Sequence, residues 1–200
     1  LAKASAFATL LAVGVVIGLS LASLVDNPRL GPVIEWLDEP RAVRDFNLQA
    51  SSAEFNNHSL QGRWTIVLFG FLHCPDVCPT SIAELATLAD RFSEVALLDD
   101  VAYVFVSVDP GRDSVEDVDQ YAQAFAPAMH GVTGEHLQIR RFTNDLGIQY
   151  SVSADINDYS VAHSVTFSII DPSARLRGRF RPGFDLDHLS REFESMLAKG

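Results

Sequence analysis

The sequence predicts an α/β domain of three layers behind an N-terminal transmembrane helix. Three observations lead there. Residues 64–71 (WTIVLFGF) and 101–108 (VAYVFVSV) are unbroken apolar runs of strand length, as expected of strands buried on both faces. Each is followed by a stretch with apolar residues at helical spacing. Residues 4–25 (ASAFATLLAVGVVIGLSLASLV) hold neither charge nor proline. As a helix they would run about 33 Å, enough for a bilayer core of about 30 Å.

Taken in order, residues 1–25 read as a membrane anchor. Lys3 before the apolar run and Asp26 after it favour a cytoplasmic N-terminus with the domain outside. The rival is a cleaved signal peptide, with Ser20-Leu21-Ala22 as the processing site, although the apolar stretch is long for one. Gly14 and Gly18 make a weak helix-pairing pattern. Residues 26–43 read as a linker broken by Pro28, Pro32 and Pro40, and residues 44–200 as the folded domain. Short strands are expected near 46–48, then a polar turn over 56–59. After the first buried strand, Ser81 and Glu84 fit a capping box for a helix bearing Ile82, Leu85, Ala86, Ala89 and Phe92 on one face. The second buried strand ends in Asp109-Pro110. Ser114 opens a helix with Val115, Val118, Tyr121, Ala122 and Phe125 along one side. A short strand over 129–134 and a helix over 135–146 follow. Residues 151–162 (SVSADINDYSVA) read as a polar loop leading to His163 and a strand over 164–170. A turn at 171–174 returns the chain as a hairpin over 175–180, and a last helix fills 185–198. A β-α-β half, a linking helix and a β-β-α half make the order thioredoxin-like.

Composition narrows the function. The 200 residues are 48% hydrophobic and 20% charged, ordinary for a globular chain. With 15 Lys+Arg against 26 Asp+Glu the net charge is −11, and no basic stripe offsets it. Such a surface repels phosphate backbones, so no nucleic-acid partner is expected. Oligomeric state is not legible.

Only two cysteines are present, Cys74 and Cys78, in FGFLHCPDVCPTSIAEL (69–85). Two are too few for a disulfide-stapled scaffold, so the pair is expected to do chemistry. Their i,i+4 spacing at a helix entry puts both sulfurs on one face, within reach of one ion. Pro79 suits the first helical turn, and the helix dipole there favours thiolate over thiol. Metal binding and thiol redox chemistry both want that thiolate, and the spacing does not choose between them. A soft ion such as Cu(I) suits two thiolates, and an added imidazole would also accommodate Cu(II) or zinc. Of the six histidines, His58, His136 and His188 fall on polar turns or helix surfaces, and His130 has no partner motif. His73 adjoins Cys74, where extended backbone would point it away. His163 lies where a thioredoxin-like topology brings the penultimate strand toward the cysteine loop, and it is the best third donor.

Three segments, in order, resemble the Sco/SenC copper chaperones: FGFLHCPDVCPTS, VSVDPGRDSVEDVDQYAQAF and DYSVAHSVTFSIIDPSARL. The resemblance runs from about Phe46 to the last helix. It implies a membrane-tethered, thioredoxin-like copper chaperone, not a turnover enzyme, that serves the Cu-A centre of cytochrome c oxidase. It also implies copper ligands at Cys74, Cys78 and His163. Many members of that family carry Asp before the histidine. Ala162 stands there in this chain, with Asp158 as a possible substitute. Asp76 and Asp109 are candidates for supporting roles, and Arg112 and Asp113 for local ion pairing. A thiol–disulfide oxidoreductase that keeps oxidase-subunit cysteines reduced is the alternative. A peroxidase would need a motif context that is missing. Nothing resembles a mitochondrial presequence, so the expected location is a bacterial inner membrane, crossed once, with the domain on the periplasmic side.

Overall fold

The computed structural model describes residues 31–95, 101–155 and 158–198, and Val33–Gly200 forms one compact unit. The strands are β1 (Glu35–Ala42), β2 (Asn47–Ala50), β3 (Glu54–Asn56), β4 (Trp64–Gly70), β5 (Val101–Ser107), β6 (Met129–Thr133), β7 (Tyr150–Asp155), β8 (Asp158–His163), β9 (Phe167–Ile170) and β10 (Arg175–Phe180). The helices are α1 (Val77–Ser93), α2 (Val115–Phe125), α3 (His136–Leu146) and α4 (Leu186–Leu197). Eight strands form one mixed sheet in the order β1-β10-β9-β4-β5-β6-β2-β3, while β7 and β8 pair only with each other.

The centre of the sheet follows from the two apolar runs. β4 pairs parallel with β5, and β5 with β6. Parallel neighbours cannot be joined by a tight turn, so α1 and α2 supply the crossovers. Alternation along β4 feeds two cores. Ile66 and Leu68 meet Ile82, Leu85 and Phe92 of α1, Val118 of α2 and Phe193 of α4. Val67 and Phe69 face the other way, onto Ile139, Phe142 and Leu146 of α3. Each fully buried Leu, Ile or Phe contributes about 1.5–3 kcal/mol, so helices are held on both faces and three layers result. Gly131 of β6 lies so close to α2 that a Cβ there would sit 2.2 Å from the Val118 carbonyl oxygen. Only glycine permits that approach. The topology is thioredoxin-like, as the element order predicts.

Three expectations need correcting. Residues 35–42, read as linker, form edge strand β1 paired antiparallel with β10. Pro40 is tolerated because the strand is at the sheet edge and its pairing is interrupted between Trp36 and Arg41. Trp36 packs 6.0 Å from Phe193, and the Val33 and Ile34 amides donate to the Glu192 carboxylate at 2.9 and 3.0 Å. The capping box at Ser81 is absent. Because Pro79 fits the first turn, α1 starts five residues earlier, at Val77 with Asp76 in the cap position. The Ser81 hydroxyl bonds back to the Val77 carbonyl at 2.8 Å, while Glu84 accepts from the Gly183 amide at 2.9 Å. The polar loop over 151–162 is largely the β7–β8 ribbon, whose small residues hide its alternation from a composition reading. The proposed anchor, its signal-peptide rival and the glycine pair lie outside the described residues. Among the described residues, no helix is long and apolar enough to cross a membrane.

Candidate metal centre

β4 ends at Gly70, and the chain turns through Phe71 into the cysteine segment. A Cβ at Gly70 would sit 2.6 Å from the Phe105 ring and 3.2 Å from Cys78 Sγ, so the missing side chain makes room for the second thiol. Cys74 is 9% exposed and Cys78 2%, both as free thiols. Phe71 and Val161 close over them. Cys78 lies in the first turn of α1, and its backbone N–H donates to Cys74 Sγ at 3.4 Å. Asp76 occupies the cap position without a side-chain capping bond.

His163 arrives from the opposite side at the end of β8. Its Nε2 lies 3.2 Å from Cys78 Sγ, and its ring packs edge-on against Phe71 at 5.9 Å. Nδ1 lies 3.1 Å from the Ser164 carbonyl. A carbonyl can only accept, so Nδ1 carries the proton and the Nε2 lone pair faces the thiols. Burial moves the imidazole below its ordinary pKa, outweighing the Ser164 bond, which keeps it neutral and ready to ligate.

Donor atoms of Cys74, Cys78 and His163 all lie within 4.8 Å of one another. Ligands about 2.0–2.3 Å from one ion lie within about 4.6 Å of each other, so closure on an ion needs only small shifts. Among the described residues, no other His, Cys, Asp or Glu completes the cluster. A groove of about 790 Å³ opens beside the imidazole, lined by Arg140, Asn144, Gln149, Tyr150 and Ala162 among others.

At Cys78, burial opposes the thiolate expected at the helix entry. The Cys78 thiol is pushed up to about 12, first by burial and then by its hydrogen bond with Cys74. A helix terminus contributes about 1 kcal/mol, less than one pKa unit, whereas burial moves a group by several. Burial wins at Cys78, so a bound cation would have to displace the proton for this sulfur to ligate.

The remaining histidines stay apart. His58, His130 and His136 are exposed, and His188 pairs with Glu192 at 3.0 Å. His73 points outward, its Nδ1 3.5 Å from the buried Asp113. Asp109 and Arg112 form an ion pair at 2.6 Å. Sequence reasoning overlooked Tyr159, which donates to Asp109, and Phe71 and Val161, which shield the thiols. The alternation Tyr159-x-Val161-x-His163 is the signal that reveals a strand with one functional face.

A profile of the SCO1/SenC family matches residues 36–198. The chain belongs to the SCO1/SenC family. Its relatives include a putative copper-binding protein of Stutzerimonas stutzeri, 31% identical over 80% of this chain and 79% of that one. The mitochondrial SCO1 homolog 1 of Arabidopsis thaliana is 35% identical over 66% of this chain. The match spans only 40% of that relative's own length. The crystal structure of Arabidopsis thaliana ScoI with copper bound superposes with a TM-score of 0.72 at 31% identity, covering 80% of this chain and all of that one. The thioredoxin-like α/β fold is thus that of solved Sco structures.

Proposed function

We propose that this SCO1/SenC chain is a copper chaperone that binds one copper ion through Cys74, Cys78 and His163 and hands it to the Cu-A-bearing subunit of cytochrome c oxidase during assembly. The observation that carries the reading is the convergence of two buried sulfurs and one oriented imidazole nitrogen within 4.8 Å. The donor set fits the cargo. Two thiolates hold Cu(I), and the imidazole extends the site to Cu(II). Three protein donors leave a position through which an acceptor's cysteine can enter, so transfer proceeds by ligand exchange. The relatives' names and the copper-bound plant structure support copper as the ion.

Residues 1–25 are proposed to anchor the chain once in a bacterial inner membrane, with the Val33–Gly200 unit working on the periplasmic side. The alternative, a thiol–disulfide oxidoreductase, draws support from two free thiols side by side.

Mixing the copper-loaded chain with a metal-free, reduced Cu-A domain tests the proposal. Copper leaving this chain and appearing on the acceptor supports it. In a parallel mixture of the reduced, copper-free chain with an oxidised acceptor, reduction of that acceptor, together with no copper movement in the first mixture, would instead establish the reductase.

A further inference from the structure

The turn over residues 109–113, which follows β5, touches both halves of the candidate centre. On the cysteine side, Asp113 Oδ2 accepts from the Leu72 amide at 2.9 Å, two residues before Cys74, and from the Ser107 hydroxyl at 2.6 Å. On the histidine side, Arg112 places both of its contacts on Asp109 Oδ2, each at 2.6 Å. Asp109 Oδ1 is left to accept from the Tyr159 hydroxyl. The Arg112 guanidinium also lies 4.0 Å over the Tyr159 ring. Asp109 is wholly buried, and a buried carboxylate needs every one of these donors.

Tyr159, Val161 and His163 alternate along β8 and therefore share one face. Tyr159 docks on Asp109 and Arg112, Val161 packs over the thiols and His163 meets Cys78. β7 and β8 pair only with each other, so no main-sheet ladder holds this ribbon in place. Tyr150 of β7 packs on the second core and donates to the His136 carbonyl at 3.4 Å, and the contacts along this face of β8 supply the rest.

We infer that Tyr159 and Arg112 are positioning residues for the histidine ligand: the Tyr159–Asp109–Arg112 contact latches the ribbon to the turn that also holds the cysteine segment, and so sets the distance from imidazole to thiols. The inference rests on the copper reading above and adds residues that touch no metal. It also predicts an asymmetry. Unlatching loosens the imidazole and leaves the two thiols alone, so Cu(II) suffers and Cu(I) does not.

The test uses the full chain in mild detergent, as wild type, Tyr159→Phe, Arg112→Ala, His163→Ala and the double variant Tyr159→Phe/His163→Ala. Tyr159→Phe removes one oxygen and keeps the ring, so it remains informative if Arg112→Ala fails to fold. Expected are a Cu(II) affinity about tenfold weaker in Tyr159→Phe, a diminished nitrogen signature in its Cu(II) electron paramagnetic resonance spectrum, an unchanged Cu(I) affinity, and a melting temperature lowered by the donor that Asp109 loses. In the His163→Ala background the same substitution should have no further effect on copper, because the latch acts through the imidazole. Equal weakening of both oxidation states, persistence of the effect without His163, or no effect at all overturns the latch. In the metal-free chain, the His163 ring resonance should broaden or shift in Tyr159→Phe, and an unmoved resonance counts against it. That readout is independent of copper: a wild type that binds none overturns the functional reading while the ring resonance still decides the latch.

Discussion

The cysteine arm and the histidine arm of the centre are built in opposite ways. Cys74 and Cys78 hang from the end of β4, the strand at the middle of the main sheet, and sink into the domain against Phe71. His163 stands at the end of a two-stranded ribbon outside that sheet, half-buried, with its neighbour Ala162 exposed. The thiols are therefore part of the core, and removing room around them disturbs the fold. The imidazole is brought to them by side-chain contacts from a separate element, and altering it leaves the core alone. For the proposed carrier, this division would let one arm retain the ion while the other is exchanged for an acceptor's ligand.

The comparison breaks first at the thiols. Cys74→Ala or Cys78→Ala should weaken binding of both copper oxidation states by more than about a hundredfold, since even supporting residues around a metal account for 10–100-fold. Competition titration against a chelator of known affinity reads this, and retention of Cu(I) by either variant would contradict it. His163→Ala should weaken Cu(II) by more than about tenfold while the two thiols continue to hold Cu(I). Its melting temperature should stay close to wild type, because the ring lies outside the main core. Gly70→Ala tests the cysteine arm as a piece of the fold. Its Cβ must displace the Phe105 ring and crowd Cys78 Sγ, at a cost of about 1–3 kcal/mol in denaturant unfolding. Unchanged stability there would mean the thiols are not tied to the core as described.

The smallest effect is in the pH dependence. Each thiol proton displaced by copper strengthens apparent binding about tenfold per pH unit. With Cys78 at about 12, its proton is displaced throughout the neutral range. Its raised value also stabilises the metal-free fold at neutral pH, and that contribution is lost as pH rises from the ordinary thiol value toward 12. The imidazole works in the other direction. His163 is moved below its ordinary value, so its contribution is present above that value and lost as pH falls through the lowered one. Unfolding curves of wild type and Cys78→Ala at rising pH should converge, and parallel curves would contradict the assignment.

How much of this was legible beforehand differs between the same two arms. The cysteine arm follows a strand whose apolar run is unbroken and precedes a helix with regular periodicity, so residues 64–71 and the α1 face could be read directly. The exact start of α1 could not. Ser81 and Glu84 imitate a capping box, yet Ser81 is buried inside the helix and Glu84 fastens the Gly183 segment. The histidine arm was legible only as an endpoint. Small and polar residues over 151–162 look like a loop, because the pairing that makes them a ribbon is between strands and leaves little trace in composition. β1 was missed for a related reason: Pro40 reads as a break, and only the partner strand β10 reveals an edge position that tolerates it. Local pattern thus identified the elements that bury large side chains, while those held by long-range pairing or by single polar contacts emerged only in three dimensions. The Tyr159 contact with Asp109 joins residues fifty positions apart, beyond the reach of any local pattern.

The most direct measurement is an anaerobic copper titration of the chain, followed by X-ray absorption on the Cu(II)-loaded wild type and on the Cys78→Ala and His163→Ala variants. The account predicts one copper per chain in the wild type, with one of its two sulfur scatterers lost in the first variant and a nitrogen scatterer lost in the second. Full loading with unchanged sulfur and nitrogen ligation in either variant would place the ion elsewhere and contradict the convergence of Cys74, Cys78 and His163 on a single site.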